Sequence, residues 1–445
     1  MLIFYNVSSY KGLQIMKPIN LPQDYPFWYL KNDPSPMLKS SIKTNVVIVG
    51  GGMAGLSAAQ RFLEKGLDVV LLEKSFCGSG ATGKSSGFIT PASELSLNDL
   101  IAVYGEDNAR KLWEFAASGV HFIENNIKKF SIECDYQKQD TLVVSNGNRA
   151  FKNEIEPEHE SRLLLKYAST LYNKENLSSV LASDKYTGGI LYSDSFGIQG
   201  YNYCQEMKSA LINCGVKIYE ESPITNIRSN GVDTAHGAVD ADHIVLCMDR
   251  FAPNLDKLTS EVYHAQTFLM LSSRLTEEEI KAVFPNRRLM VWDTDLIYQY
   301  YRVNGDNRLM LGGSSLLYTY SRNEKHNSNL MFNKLTHYFK NKFPQLTITF
   351  EYMWPGLIGI AKDIMPVVGQ DQHNSQLYYA CAGAGLPWSA AIGNYAAEAI
   401  VDKRDDLNNY FSPYRRFAIG KIPQFFMGTK AAFALSNIMR IKRWV

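Results

Sequence analysis

Residues 46–74, VVIVGGGMAGLSAAQRFLEKGLDVVLLEK, set a Val/Ile run, a glycine-rich turn, a periodic apolar stretch and a second Val/Leu run in that order. Asn45 to Val49 has the β-branched, unbroken apolar character of a strand buried on both faces. Leu56 to Glu64 has helical spacing, Gly66 ends that helix, and Leu67 to Leu72 forms a second strand. Between them Gly50, Gly52 and Gly55 complete G-x-G-x-x-G. In such a turn one glycine permits the sharp bend, one lets the backbone approach a pyrophosphate, and one lets helix and strand pack closely. The backbone from Gly50 through Gly51, Met53 and Ala54 then presents N–H groups at a helix N-terminus, where the dipole favours anions. Glu73 ends the second strand, followed by Lys74. Its carboxylate is placed to accept from ribose hydroxyls, and it disfavours a 2′-phosphate, which argues against NADP.

A second Gly/Ser-rich stretch follows at once: KSFCGSGATGKSSGFIT, residues 74–90. A nicotinamide dehydrogenase usually continues into another βα unit. Here Gly78, Gly80, Gly83 and Gly87, with Ser79, Thr82, Ser85 and Ser86, offer small residues and N–H groups for a second approach to a cofactor. Taken by itself, the segment would also suit a surface loop.

Length and composition bound the rest. A chain of 445 residues exceeds one ordinary core and implies two domains. With 45% hydrophobic and 20% charged residues it has the balance of a globular protein, and a formal charge of +2 gives no global attraction to nucleic acid. Six scattered cysteines without a C-x-x-C pair fit reduced thiols in a cytoplasmic setting, and the histidines lack metal spacing, so no metal is expected. The start MLIFYNV lacks a basic segment followed by a long apolar core, so no signal peptide is expected. No run approaches the ~20 apolar residues that span a bilayer.

The ordered set of motifs resembles the D-amino-acid-oxidase-like superfamily of FAD-dependent oxidoreductases, which contains glycine and sarcosine oxidases; within it, γ-glutamylputrescine oxidase-type proteins are most similar. Its members carry GGG-x-x-G, an acid ending the second strand, and G-x-G-A-S-G-x-N-x-G. Here residues 78–87 read GSGATGKSSG, with Thr82 in place of Ser and Ser85 where Asn is common. The stretch from Gly215 to Pro253 resembles the family's hairpin and returning strand, with Ile224 near the adenosine end. YQYYRVNGDNRLMLGGSS resembles a substrate-domain strand pair with a D-x-R-x-x-x-G-G turn. EYMWPGLIGIAKDIMPVVG and LYYACAGAGLPWSAAIGNYAAEAIV resemble the blocks that close over the flavin.

The resemblance covers about residues 25–425 and implies an α/β fold. A Rossmann-like FAD-binding domain of the glutathione-reductase type (41–93, 195–255, 351–402) would be interleaved with an α+β substrate domain on an antiparallel sheet (94–194, 256–350). An irregular lead (1–40) and a basic helical tail (403–445) would flank them. It implies FAD held by the residues already named and by Ala81, Gly356, Gly383, Gly385, Leu386 and Pro387. Attachment should be noncovalent, because the sarcosine-oxidase type places its linking Cys after the flavin-closing block, where this chain has MPVVGQDQHN.

The implied chemistry is oxidation of a C–N bond: an uncharged amine gives a hydride to the flavin and leaves as an imine that hydrolyses. Glycine-oxidase-type proteins bind a carboxylate with an Arg at the position of Ile358, so a carboxylate-free amine is expected. Candidate site residues are Tyr300, Arg302 and His264, with Arg302 equally suited to a structural pair with Asp306 or Asp295. Alternation puts Tyr298 and Tyr300 on one strand face and Tyr301 on the other, and an aromatic wall with Trp292, Trp354 and Trp388 suits an alkylammonium. Two rival functions remain open: an α-amino-acid or N-methylamino-acid oxidase, and a tRNA-modifying flavoprotein. Outside the tail acids outnumber bases, so no nucleic-acid partner is expected; the partners are an amine and oxygen or another electron acceptor. From Phe411 onward the chain has seven Lys/Arg and no acid. A stripe of Ala431, Leu435, Ile438, Ile441 and Val445 would dock on protein or on an anionic membrane.

Overall fold

Strand β1, Ile42–Val49, begins earlier than its sequence pattern, and Val46 to Val49 are buried on both faces. Helix α1, Met53–Glu64, starts directly after Gly52, and Gly66 turns out of it at φ +80°. Strand β2, Val69–Leu72, runs parallel to β1. These are the central members of the first sheet of this computed structural model, which describes residues 26–30, 34–92, 94–248, 255, 258–315, 319–321, 324, 329–383 and 385–441. MLIFYNV and the tail residues from Lys442 to Val445 lie outside the described residues.

Along that sheet the strands follow Val367–Gln370, Leu377–Cys381, Ala238–Leu246, β1, β2 and Lys217–Tyr219. All neighbours are parallel except the Val367–Gln370 edge. The expected hairpin is Ile224–Arg228 with Gly231–Thr234, and it feeds Ala238–Leu246 back beside β1. Helix Leu386–Val401 packs across α1; a Cβ on Gly393 would stand 2.2 Å from the carbonyl oxygen of Ala54.

A second sheet runs in the order Phe350–Ala361, Val262–Arg274, Arg308–Gly313, Tyr300–Val303, Leu289–Asp293, Asp140–Ser145, Gly188–Tyr192 and Thr170–Asn173. It is antiparallel apart from the pair Leu289–Asp293 and Asp140–Ser145. Two expected boundaries move. Strand Phe350–Ala361, placed with the FAD domain from residue 351 onward, pairs along Val262–Arg274 in the second sheet. Helix Glu106–Phe130, assigned to the substrate domain, packs on Leu386–Val401, where a Cβ on Gly119 would lie 1.9 Å from the oxygen of Pro387.

The second sheet has two unlike faces. One packs Phe268, Met270, Tyr301, Leu311 and Met353 against Met331, Leu335 and Phe339 of helix Asn329–Lys342. Cross-strand neighbours share a face. The pairs Ala265–Ile358, Thr267–Gly356, Leu269–Trp354, Leu269–Gly312, Gly312–Tyr300 and Tyr300–Trp292 therefore define the other. That face looks onto the Gly/Ser-rich segment. Among the described residues no helix is long and apolar enough to cross a membrane.

Candidate functional site

The site begins at the turn after β1. Gly50 has φ +112°, and a Cβ there would sit 2.7 Å from the oxygen of Cys247 at the end of the returning strand. A Cβ on Gly55 would stand 1.9 Å from the Gly50 oxygen, so only glycine closes this turn. Gly52 is different: its Cβ would meet only the Thr82 hydroxyl, at 3.3 Å, and otherwise open space. Glu73 is buried, its Oε2 accepting from the Gly51 N–H at 2.8 Å and its Oε1 from the Ser75 N–H at 3.0 Å. Burial raises its affinity for a proton, and these N–H donors oppose that. Lys74 beside it is exposed.

The second loop repeats the geometry of the first. Residues 78–83 are themselves G-x-G-x-x-G, and a Cβ on Gly83 would lie 2.1 Å from the Gly78 oxygen, as Gly55 does from Gly50. A short helix α2, Ala81–Lys84, starts at Gly80, whose missing Cβ faces open space. Thr82 joins the two loops: its hydroxyl accepts from the Met53 N–H at 3.1 Å. Ser85 donates to the Thr82 oxygen at 2.8 Å, and Gly87 turns at φ +73° with no room for a side chain against the Ile198 oxygen. Two open glycine cradles at adjoining helix starts, with one acid at the strand end, fit a dinucleotide such as FAD.

Several supports of this loop were not foreseen. The aromatic lead contributes a 3-10 turn, Phe27–Leu30, in which Trp28 Nε1 donates to the Gly83 oxygen at 2.8 Å. The Tyr29 hydroxyl donates to the oxygens of Gly78 and Ser79, and the Trp28 ring stands edge-on to Trp354. The fully buried Glu220, paired with Lys208, accepts from the Cys77 N–H at 2.6 Å. The density of aromatics in DYPFWYL was the available signal for the first of these.

Of the other expected cofactor residues, Ile224 is half-buried at the start of the hairpin. Gly383 precedes helix Leu386–Val401, and Gly385, at φ +107°, is its N-cap with no side-chain cap. Leu386 and Pro387 open that helix and are buried. Gly356 faces Lys84, whose Cβ would be 3.7 Å from a Cβ at that position, and Trp354 Nε1 donates to the Lys84 oxygen at 3.0 Å.

Beyond Gly356 the same sheet face carries an aromatic recess. Gly312 leaves room for the Tyr300 ring, which would overlap a Cβ there at 2.2 Å. Tyr300 hydrogen-bonds with Thr267, and burial pushes its hydroxyl up to about 12. Phe88 and Tyr298 pack on Tyr300, and Trp292 packs on Phe88. Into this recess projects Glu94, half-buried, accepting from the Tyr298 hydroxyl at 2.7 Å. Burial raises the affinity of Glu94 for a proton, against the Tyr298 hydrogen bond. Sequence reasoning did not single out Glu94, which follows the loop without any motif of its own.

Two expected site residues stand elsewhere. Arg302 is fully buried, with Nε donating to the Ser86 oxygen at 2.6 Å, one terminal nitrogen to Ile198 O at 2.6 Å and the other to Gln139 Oε1 at 3.4 Å. Neither Asp306 nor Asp295 is its partner; Asp306 pairs with Arg274 and Arg308. Burial lowers its pKa to about 10, and it ties the Gly87 turn to the sheet. His264 lies on Val262–Arg274 with the parity of Gln266 and Phe268, opposite to Thr267. It is thereby directed away from the recess. Ile358 does face the recess side, half-buried and apolar.

Residues 45–399 match the family model described as FAD dependent oxidoreductase. The probable oxidoreductase OrdL of Haemophilus influenzae is 30% identical over 84% of this chain and 86% of its own length. The gamma-glutamylputrescine oxidoreductase of Escherichia coli is 29% identical over 83% of this chain and 86% of its own length. In three dimensions the chain is similar to glycine oxidase from Geobacillus kaustophilus, with a TM-score of 0.72 at 17% identity over 85% of this chain and 100% of that one. The matched span runs from β1 through both glycine cradles into helix Leu386–Val401: the chain belongs to the FAD dependent oxidoreductase family.

Proposed function

We propose that the protein oxidises a small amine bearing no carboxylate beside the reacting nitrogen, releasing an imine that hydrolyses. FAD, held noncovalently, supplies the hydride acceptor. The observation that carries this is the Glu94 carboxylate beside Tyr298 and Tyr300, with Trp292 opposite Tyr300, apolar Ile358 on the same sheet face and Arg302 committed to two backbone carbonyls and Gln139. A cation is at home in such a recess and a carboxylate is not. Tyr298, Tyr300, Phe88 and Trp292 would hold an alkyl chain. Glu94, with its raised proton affinity, would attract the ammonium form and take its proton, because only the uncharged amine can react. The Escherichia coli relative named for gamma-glutamylputrescine supports an amine donor.

The test is anaerobic flavin bleaching across a panel of amines, each paired with its α-carboxylate analogue, followed by admission of oxygen. Carboxylate-free amines should bleach the flavin faster. Glu94→Gln should lower kcat/KM for them roughly tenfold or more, as loss of a charge-assisted contact implies. Faster bleaching by the carboxylate analogues would make the protein an amino-acid oxidase instead. Acid precipitation should leave the yellow colour in the supernatant.

A further inference from the structure

The basic tail folds differently from its sequence pattern. Helix Thr429–Ile441 buries Ala432, Phe433, Ser436, Asn437 and Arg440. Asn437 Nδ2 donates to the oxygens of Ala361 and Lys362, anchoring the helix on the second sheet. Ala431 and Leu435, two members of the stripe read from sequence, lie on the exposed side.

The preceding helix, Lys421–Met427, is turned inside out. Its polar Gln424 is buried, while Ile422, Phe425 and Phe426 are 74%, 83% and 82% exposed and Met427 is 42% exposed. The two Phe rings stack edge-on, 5.5 Å apart, and Gly420 and Gly428 flank the helix. Single exposed apolar residues are ordinary; three large ones at three-quarters exposure on one short helix are not. The chain segment that carries them, from Leu407 onward, has charge of one sign. Arg416 and Lys430 are exposed, Lys421 pairs with the buried Glu261, and the sequence supplies no acid after Asp406.

We infer that helix Lys421–Met427 docks on an anionic phospholipid surface, with Ile422, Phe425 and Phe426 entering the headgroup–acyl boundary and Arg416 and Lys430 against the lipid charge. An apolar tip flanked along the chain by the exposed cations Arg416 and Lys430 matches that surface on both counts. A second copy fits less well: four side chains fall far short of the ~20–30 residues a side of a stable dimer, and two such patches would set like charges together. This inference is independent of the substrate.

Full-length, FAD-loaded protein is floated with vesicles of phosphatidylcholine alone and of phosphatidylcholine mixed with phosphatidylglycerol. Binding is expected to the anionic vesicles, weakened by salt. Phe425→Ser combined with Phe426→Ser should weaken it by roughly tenfold or more, with flavin content, Tm and vesicle-free amine turnover unchanged. Equal binding to both vesicle types, or no effect of the double substitution, overturns the proposal. So does light scattering that shows a dimer which the double substitution separates, since the face would then join copies of the chain.

Discussion

The Thr82 hydroxyl accepts a hydrogen bond from the backbone N–H of Met53 at 3.1 Å, so the second glycine loop caps the helix of the first. Thr82→Ser keeps that oxygen and should leave both Tm and FAD affinity near the parent's. Thr82→Val keeps the shape but leaves the Met53 donor without its acceptor, at a cost of about 1–2 kcal/mol. FAD titration of the two apoproteins, with thermal melts, checks this; equal affinity for both variants would show that the loops are not coupled.

Gly52 and Gly55 separate binding from folding. A Cβ on Gly55 would overlap the Gly50 oxygen at 1.9 Å, so Gly55→Ala should fail to give a folded chain. Gly52 has only the Thr82 oxygen near, at 3.3 Å, so Gly52→Val should fold yet lose FAD. Glu73→Gln should bind FAD roughly tenfold or more weakly, from the loss of charge-assisted hydrogen bonds. Circular dichroism alongside flavin content separates these outcomes.

Arg302 holds three acceptors in a site without room to spare, since a Cβ on Gly197 would lie 2.6 Å from its guanidinium. Arg302→Lys cannot reproduce the fork and should lower stability by about 2–4 kcal/mol, while KM of the folded fraction stays unchanged. A raised KM with an unchanged Tm would make Arg302 a substrate ligand.

Asp293 sets a pH dependence of stability. It is buried, and burial first, then the neighbouring Asp295, push its carboxyl up to about 6. With a folded pKa above the unfolded one, the folded chain binds more protons between about pH 4 and 6. Stability therefore falls as pH rises through that window and stays lower above it, by about 2–3 kcal/mol. Asp293→Asn keeps an acceptor for the N–H groups of Asp295 and Gln299. Its Tm should exceed the parent's at pH 8 and match it near pH 4; a lower Tm at pH 8 would contradict this.

The first cradle was legible because its contacts are local. Gly55 meets the oxygen of Gly50, and Glu73 meets the Gly51 N–H 22 positions away, both within one strand–helix–strand unit whose spacing a sequence displays. The same holds for Gly83 and Gly78. What surrounds the cradle was decided by tertiary structure. Trp28 reaches Gly83 across 55 positions, Tyr298 reaches Glu94 across 204, and Arg302 reaches Ser86 across 216. Such pairs exist only once the second sheet is laid on the 78–94 segment, and no period or spacing encodes them. Strand parity was undecidable for a similar reason. Val262–Arg274 is buried on both faces, so its residues carry no alternation to tell His264 from Thr267, and only the pairing with Gly356 does. The tail shows the limit from the other side: its sequence has an apolar stripe, but which side of a helix is covered depends on where Asn437 finds the carbonyls of Ala361 and Lys362.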